Sequence, residues 1–219
     1  MDAIQLASFL DHTLLKPEAT QEQIEALCAE AKRYGFASVC VLPYWVKHCA
    51  DRLSDSKVKV CTVVGFPLGA HALKTKVTET REALKAGAQE IDMVINLGAF
   101  KSGHLQHVEE EIKAVVAEAA DHALVKVIIE TGLLTKDEKA TICQMILDSG
   151  AHFVKTSTGF SAPGATVEDV RLIRSIVQGR LGIKASGGIR TYDQAMAMIK
   201  AGATRLGSSS SLAIVGSAP

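Results

Sequence analysis

The sequence is poor in aromatic residues, which make up 5% of it with a single tryptophan, and it has only five prolines in 219 residues. A chain of this length can bury a large core. That core must then be built from Val, Ile, Leu and Ala, which suits strands packed against helices. An excess of either charge is also lacking: 24 basic residues balance 24 acidic ones. Without a sustained basic stripe, nucleic acid and acidic membrane surfaces are poor partners, and a small molecule fits better. No apolar run approaches the ~18–20 residues of a membrane span. The opening MDAIQLASFLDHT has no basic segment leading into an apolar one, so no signal peptide is expected. The five cysteines (28, 40, 49, 61 and 143) form no CxxC pair and are odd in number. They read as reduced thiols of a cytoplasmic protein, and Cys61, inside an apolar run, reads as core.

What is present is an alternation of short β-branched runs with longer amphipathic segments. The strand candidates are Ser8–Asp11, Ser38–Val41, Val58–Val64, Glu90–Asn96, Leu124–Glu130, His152–Thr156, Gly182–Ser186 and Thr204–Gly207. Helical patterns begin near Thr20, Tyr44, Ala72, His104, Thr135, Thr166 and Thr191, with a short one after Ser209. Thr20, Thr135 and Thr191, each followed three residues later by Gln or Glu, match the capping box, and Thr166 with Asp169 is a looser version. The strands read as continuous apolar runs without alternation, as in a parallel sheet covered by helices. Eight strands give about 27 residues per βα unit, which fits a single-domain α/β chain over 1–219 folded as a (β/α)8 TIM barrel. The rival is an open doubly wound sheet. It is disfavoured because no GxGxxG follows the first strand and candidate chemistry is spread over many strands.

Glycines expose an internal repeat. Gly35, Gly87, Gly150, Gly179 and Gly202 each close a helical pattern, and five residues later stand Cys40, Asp92, Lys155, Lys184 and Gly207. If these positions face inward at one depth, a barrel layer gathers a thiol, a carboxylate, two amines and a glycine.

Three strands each carry one lysine in an apolar setting: Lys126, Lys155 and Lys184. A single such lysine would be read as a strand end reaching solvent, but three on successive strands point to a site. Desolvation and neighbouring cations should lower an amine's pKa and favour the neutral nucleophile that attacks a carbonyl, while another lysine, such as Lys184, remains charged as perturber or acid. Asp92 is a buried carboxylate that needs a partner, Lys184 or Lys126, and Asp11 is a similar candidate on the first strand. A structural ion pair is the plain alternative for both. Ser186-Gly187-Gly188 and Gly207-Ser208-Ser209-Ser210 end the last two strands, where barrels commonly hold phosphate, and Thr156 to Gly159 offer more donors. His104 and His107 read as a solvated helix start rather than a metal face, His12 as orienting a loop, and Tyr44 and Trp45 as packing.

Several segments resemble class I deoxyribose-phosphate aldolases over nearly the whole chain. They are Asp11–Pro17, Phe36–Cys40, Val64–Gly69, Glu90–Asn96, Leu124–Glu130, Phe153–Phe160 and Lys184–Arg190. The resemblance implies reversible cleavage of 2-deoxy-D-ribose 5-phosphate to D-glyceraldehyde 3-phosphate and acetaldehyde, with no metal or other cofactor. It implies Lys155 as the Schiff-base lysine and Asp92 with Lys184 as the proton-transfer pair. Asp11, Thr13, Cys40, Lys126 and Thr158 would line the substrate pocket, and Gly187, Gly188, Gly207, Ser209 and Ser210 would hold phosphate. Phe160 stands where some members carry lysine, and the chain ends Gly216-Ser-Ala-Pro219 where some carry a tail with a terminal tyrosine. Partners are expected to be a sugar phosphate, not nucleic acid or membrane, and a homo-oligomer is compatible with the amphipathic helices. Rival readings are another phosphosugar aldolase or isomerase, and a non-catalytic sugar-phosphate binding protein.

Overall fold

The computed structural model describes residues 1–161 and 163–218, so the terminal Pro219 of the expected 1–219 domain lies outside the described residues. Eight parallel strands close into a barrel in chain order. They are β1 (Leu10–Leu14), β2 (Ser38–Val41), β3 (Lys59–Val64), β4 (Glu90–Val94), β5 (Leu124–Ile128), β6 (Phe153–Lys155), β7 (Gly182–Ser186) and β8 (Arg205–Ser208). β8 pairs back onto β1, with Asp11 opposite Gly207, so the sheet has no edge. This is the expected TIM barrel, and its closure excludes the doubly wound alternative.

The helices around it are α1 (Ala3–Ala7), α2 (Gln21–Tyr34), α3 (Val46–Arg52), α4 (Leu73–Lys85), α5 (Leu97–Lys101), α6 (Leu105–Ala119), α7 (Lys136–Asp148), α8 (Val167–Val177), α9 (Tyr192–Ala201) and α10 (Ser211–Gly216). Thr20, Thr135 and Thr191 form full capping boxes with Gln23, Glu138 and Gln194, while the Thr166 side chain accepts only from Asp169 N. Each cap satisfies helix-start N–H groups that would otherwise lack partners.

Several boundaries differ from the sequence reading, each for a local reason. Ser8 caps the C-terminus of α1, a helix of five residues too short to show periodicity, so β1 starts at Leu10 rather than Ser8. β4 stops at Val94 because Asn96 turns its side chain to accept from Ala99 N and starts α5. β5 ends at Ile128, ahead of Glu130 at φ +50, and β6 shortens to three residues. β3 and β8 each begin one residue later than expected, at Lys59 and Arg205. Pro43–Trp45 form a 3-10 turn before α3, which leaves Tyr44 largely exposed rather than packed.

The absence of alternation also needs correction. Both faces of the strands are buried, but their chemistry alternates. Val39, Ile91, Met93, Val125, Val127, Val154, Ile183, Ala185 and Leu206 belong to the large aliphatic core that includes the helices. Their sequence neighbours Glu90, Asp92, Lys126, Lys155, Lys184 and Arg205 meet one another inside the barrel. The period of two is therefore present, written as charged against aliphatic and not as exposed against buried.

Outside the strands, α4 reaches over the barrel rim. Lys76 is fully buried, and its Nζ donates to Val94 O at 2.8 Å and lies 2.7 Å from Glu111 Oε2 of α6. Glu111 Oε2 accepts from Asn96 N at 3.0 Å, and Glu79 Oε2 accepts from Gly65 N at 2.7 Å. One helix thus ties down the loops that follow β3 and β4. The β3 loop leaves no slack: a Cβ on Gly69, whose φ is +71, would lie 1.9 Å from Ile95 O. Gly179 has φ +79 with nothing within 4 Å of the same position, so it isolates the backbone cost alone. Urea denaturation should show G179A losing about 1–2 kcal/mol and G69A clearly more. Equal losses would mean that the loop yields to the added methyl.

Candidate active site

The inward parity of six strands delivers a charged cluster into the barrel. At its centre is Asp92 of β4, with no exposed surface. Its Oδ2 lies 2.7 Å from Lys155 Nζ and 2.6 Å from Lys184 Nζ. Its Oδ1 lies 2.8 Å from Lys126 Nζ and accepts a 3.2 Å contact from Cys61 Sγ. Asp11 of β1 holds Lys184 Nζ at 2.5 Å and Arg205 Nη1 at 2.6 Å. Glu90 holds Lys126 Nζ at 2.6 Å and Arg205 Nη1 at 2.9 Å. Isolated charges at such depth would cost several kcal/mol each. Here every one has an opposite partner.

Those partners decide the protonation states. Burial favours a neutral Asp92, yet Lys126, Lys155 and Lys184 outweigh it and hold the carboxyl well below its usual range. Burial opposes the charge on Asp11 too, and Lys184, Lys126 and Arg205 hold that carboxyl low in the same way. Lys126 and Lys184 are the amines that stay charged, as the sequence reading has it for Lys184. Burial acts against their charge, but Asp92 with Asp11 and Glu90 around Lys126, and Asp11 with Asp92 around Lys184, hold both amines above the ordinary lysine value. The carboxylates that converge on these two amines outweigh burial and the neighbouring cations.

Above the cluster, at the C-terminal ends of the strands, lies a cavity of about 290 Å³. Lys155 and Lys184 reach it from below, and Thr13, Thr158, Gly187, Gly188, Gly207 and Ser209 line it. Gly187 and Gly188 adopt φ of +88° and +79°, which favours glycine; a Cβ on Gly188 would meet nothing within 4 Å, whereas one on Gly187 would lie 3.0 Å from Gly164 Cα. Gly207 matters differently: a Cβ there would lie 3.1 Å from Lys184 Cε, so the missing side chain makes room for the lysine. Asp11, Cys40, Lys126 and Asp92 are fully buried and are not among the lining residues. Ser210 stands at the start of α10, its N donating to Ser208 Oγ, and does not line the cavity either. The Thr158 hydroxyl is committed: it donates to Glu130 Oε2 at 2.5 Å and accepts from Phe160 N at 3.1 Å. Phe160 is 56% exposed and meets Phe66 edge-on at 5.2 Å.

The glycine-plus-five residues do converge, since Cys40, Asp92, Lys155, Lys184 and Gly207 all surround this centre. Cys61 is not merely apolar core. Burial, the Cys40 thiol and Asp92 push its thiol up, and its Sγ also accepts from Lys126 Nζ at 3.3 Å. Glu90, Arg205 and Glu130 were missed, although counting back two from Asp92 and Gly207, and on four from Lys126, gives all three. His12 points outward to Glu30 Oε2 at 2.8 Å, and burial, only partly offset by Glu30, lowers its pKa, so it stays out of the cavity chemistry. His104 and His107 are exposed. Among the described residues, the sets Cys40–Cys61–Asp92 and Asp11–Cys61–Glu90 have ligand spacing. Lys126 Nζ, however, contacts Cys61, Glu90 and Asp92 itself, so an ammonium already holds the place a metal ion would take.

Buried amines at the floor of a cavity that, among the described residues, no acidic side chain lines mark this end of the barrel as the candidate active site of an enzyme. The sequence profile of the DeoC/LacD family aldolases matches residues 6–216, and the chain belongs to that family. It is similar, at 61% identity over 97% of this chain and 96% of the relative, to the deoxyribose-phosphate aldolase of Streptococcus gordonii. Identity to deoxyribose-phosphate aldolase 1 of Bacillus licheniformis is 57%, over 96% of this chain and 95% of that one. The structure of the deoxyribose phosphate aldolase of Aeropyrum pernix, described as a tetramer, superposes with a TM-score of 0.92 at 35% identity, over 99% of this chain and 92% of that one.

The cluster carries its own pH signature. Asp11 and Asp92 have folded pKa values below the ordinary 3.8, so their stabilisation is complete above that value and is lost as pH falls through it. Lys126 and Lys184 have folded values above the ordinary 10.5, so theirs is complete below 10.5 and is lost as pH rises beyond it. The unfolding midpoint, followed by calorimetry, should be highest between about pH 5 and 10 and fall on both sides. A midpoint that stays level from pH 6 to pH 3 would contradict the carboxylate assignment.

Proposed function

We propose that the chain is a class I aldolase that reversibly cleaves 2-deoxy-D-ribose 5-phosphate to D-glyceraldehyde 3-phosphate and acetaldehyde through an imine on Lys155. The names of the relatives support the substrate. The observation that carries the choice of nucleophile is the unequal hold on the two floor amines. Lys184 is gripped by Asp11 and Asp92 together, whereas Lys155 meets one oxygen of Asp92. The cluster as a whole sets three carboxylates (Asp11, Glu90, Asp92) against four basic side chains (Lys126, Lys155, Lys184, Arg205).

In this reading the Lys155 amine adds to C1 of the open-chain sugar, and loss of water leaves an iminium. The C3 hydroxyl loses its proton, the C2–C3 bond breaks, and its electron pair moves toward the iminium to give an enamine. D-Glyceraldehyde 3-phosphate departs. Protonation of the enamine carbon and hydrolysis then release acetaldehyde and restore the amine. Asp92 and Lys184, 2.6 Å apart and beside Lys155, relay the protons. General acid–base help of this kind contributes about 10²–10⁴-fold. Gly187, Gly188, Gly207 and Ser209 form the phosphate end, with Ser210 behind it at the start of α10 and Thr13 and Thr158 along the wall. Asp11, Cys40 and Lys126 act from beneath, by holding the floor. Phosphate binding far from C1 serves to place the reacting carbons. The reading includes a cytoplasmic protein and a homo-oligomer, supported by the reduced thiols and by the tetramer described for the A. pernix relative.

Borohydride added with substrate or acetaldehyde should leave a stable mass increase on the peptide that contains Lys155. A label confined to another lysine would rule out the assigned nucleophile. Lys184→Leu, with folding checked by circular dichroism, should lower kcat by about 10²-fold or more. Near-normal turnover in that variant would remove Lys184 from the mechanism.

A further inference from the structure

Among the described residues, the cavity is lined by four basic side chains, Lys16, Lys155, Lys184 and Arg190, and by no acidic one. The two at the floor are committed to Asp92 and Asp11. The two at the mouth differ. Among the described residues, neither Lys16 Nζ nor the Arg190 guanidinium has a carboxylate within salt-bridge distance, although about half of the basic residues in this chain do. A phosphate monoester near pH 7 carries about −1.5 to −2 charges. The neutral hydroxyls and backbone N–H groups of the glycine loops can orient that group but cannot balance it.

Both cations are presented by fixed backbone. Lys16 follows Leu15, which is buried in the small cluster inside the barrel with Cys40, Cys61 and Val63. Pro17 follows it, and Lys16 O accepts from Ala19 N at 3.2 Å, which closes the turn. Arg190 follows the buried Ile189, whose carbonyl accepts from Ser208 Oγ at 2.7 Å, and Arg190 N donates to Gln194 Oε1 at 2.8 Å. Each rim cation therefore extends from an apolar anchor. Lys16 also borders a neighbouring groove that contains Glu30, but that carboxylate is held by His12 at 2.8 Å.

We infer that Lys16 is a specificity-determining residue: from the β1 side of the mouth it supplies, with Arg190 of the loop after β7, the second charge that neutralises the substrate phosphate. This rests on the aldolase reading for the substrate, while the anion site itself stands on the cavity. The alternative is a solvated rim lysine with no ligand.

The test compares wild type, Lys16→Ala and Lys16→Arg on 2-deoxyribose 5-phosphate and on unphosphorylated 2-deoxyribose, with calorimetric titration of inorganic phosphate alongside. Lys16→Ala should lower the preference for the phosphorylated sugar, as the ratio of kcat/KM values, by about tenfold, mostly through KM. Phosphate affinity should weaken by a similar factor, Lys16→Arg should keep most of both, and added salt should erode the preference more in wild type than in Lys16→Ala. An unchanged ratio together with unchanged phosphate affinity would overturn the role of Lys16. A wild type that cleaves neither sugar, yet binds phosphate more weakly once Lys16 is removed, would overturn the aldolase reading and leave the anion site standing.

Discussion

Three lysine side chains converge on one carboxylate, and the rest of the site follows from that contact. Asp92 takes Lys126 on one oxygen and Lys155 and Lys184 on the other, in a barrel interior without water-exposed surface. None of the three lysines could lie so deep without it. Asp92 in turn remains ionised only because they surround it. Asp11, Glu90 and Arg205 extend the arrangement so that each charge is shared. A core of this kind adds little net stability compared with well-packed apolar residues. Its value lies in holding two amines at the cavity floor in different states of restraint.

The barrel makes this possible through parity and shear. Asp92 lies opposite Lys126 across the β4–β5 pair, and Lys155 lies opposite Lys184 across β6–β7. Between β5 and β6, however, Lys155 is level with Ile128, not with Lys126. The stagger lifts Lys155 one inward position above Lys126. That separates a lysine sealed within the cluster from one that opens on the cavity. Gly207 completes the geometry by leaving unfilled the space that the Lys184 side chain needs.

Much of this was legible in the sequence. The glycines at helix ends marked the strand starts closely enough for a fixed offset of five to pick out Cys40, Asp92, Lys155, Lys184 and Gly207. Threonine caps located four helices because capping is a local matter of side chain and backbone. What escaped was non-local or too short to be periodic. α1 and α5 have five residues each. Glu90 and Arg205 are spaced correctly but begin their strands, and a charged residue at a strand start reads as solvated until the barrel closes over it. That Lys126 is held charged as firmly as Lys184 depends on how many carboxylates converge, which is a property of closure. The commitment of Thr158 to Glu130 depended on a left-handed residue at the end of β5 that no composition announces.

The clamp formed by α4 has a consequence for how such a sequence can drift. The Lys76 chain fills the space that a Cβ on Gly65 would need, 2.7 Å from Lys76 Cε. Adding a methyl at 65 requires a shorter side chain at 76. A shorter side chain at 76 would strand the buried Glu111 without its counter-charge. Three positions on a loop and two helices, far apart in the chain, are thus inherited as a unit. Single changes at any of them meet a penalty, and at 65 the left-handed φ of +62° adds a backbone cost that no exchange removes, so the loop that carries Phe66 against Phe160 should vary much less than its surface position suggests.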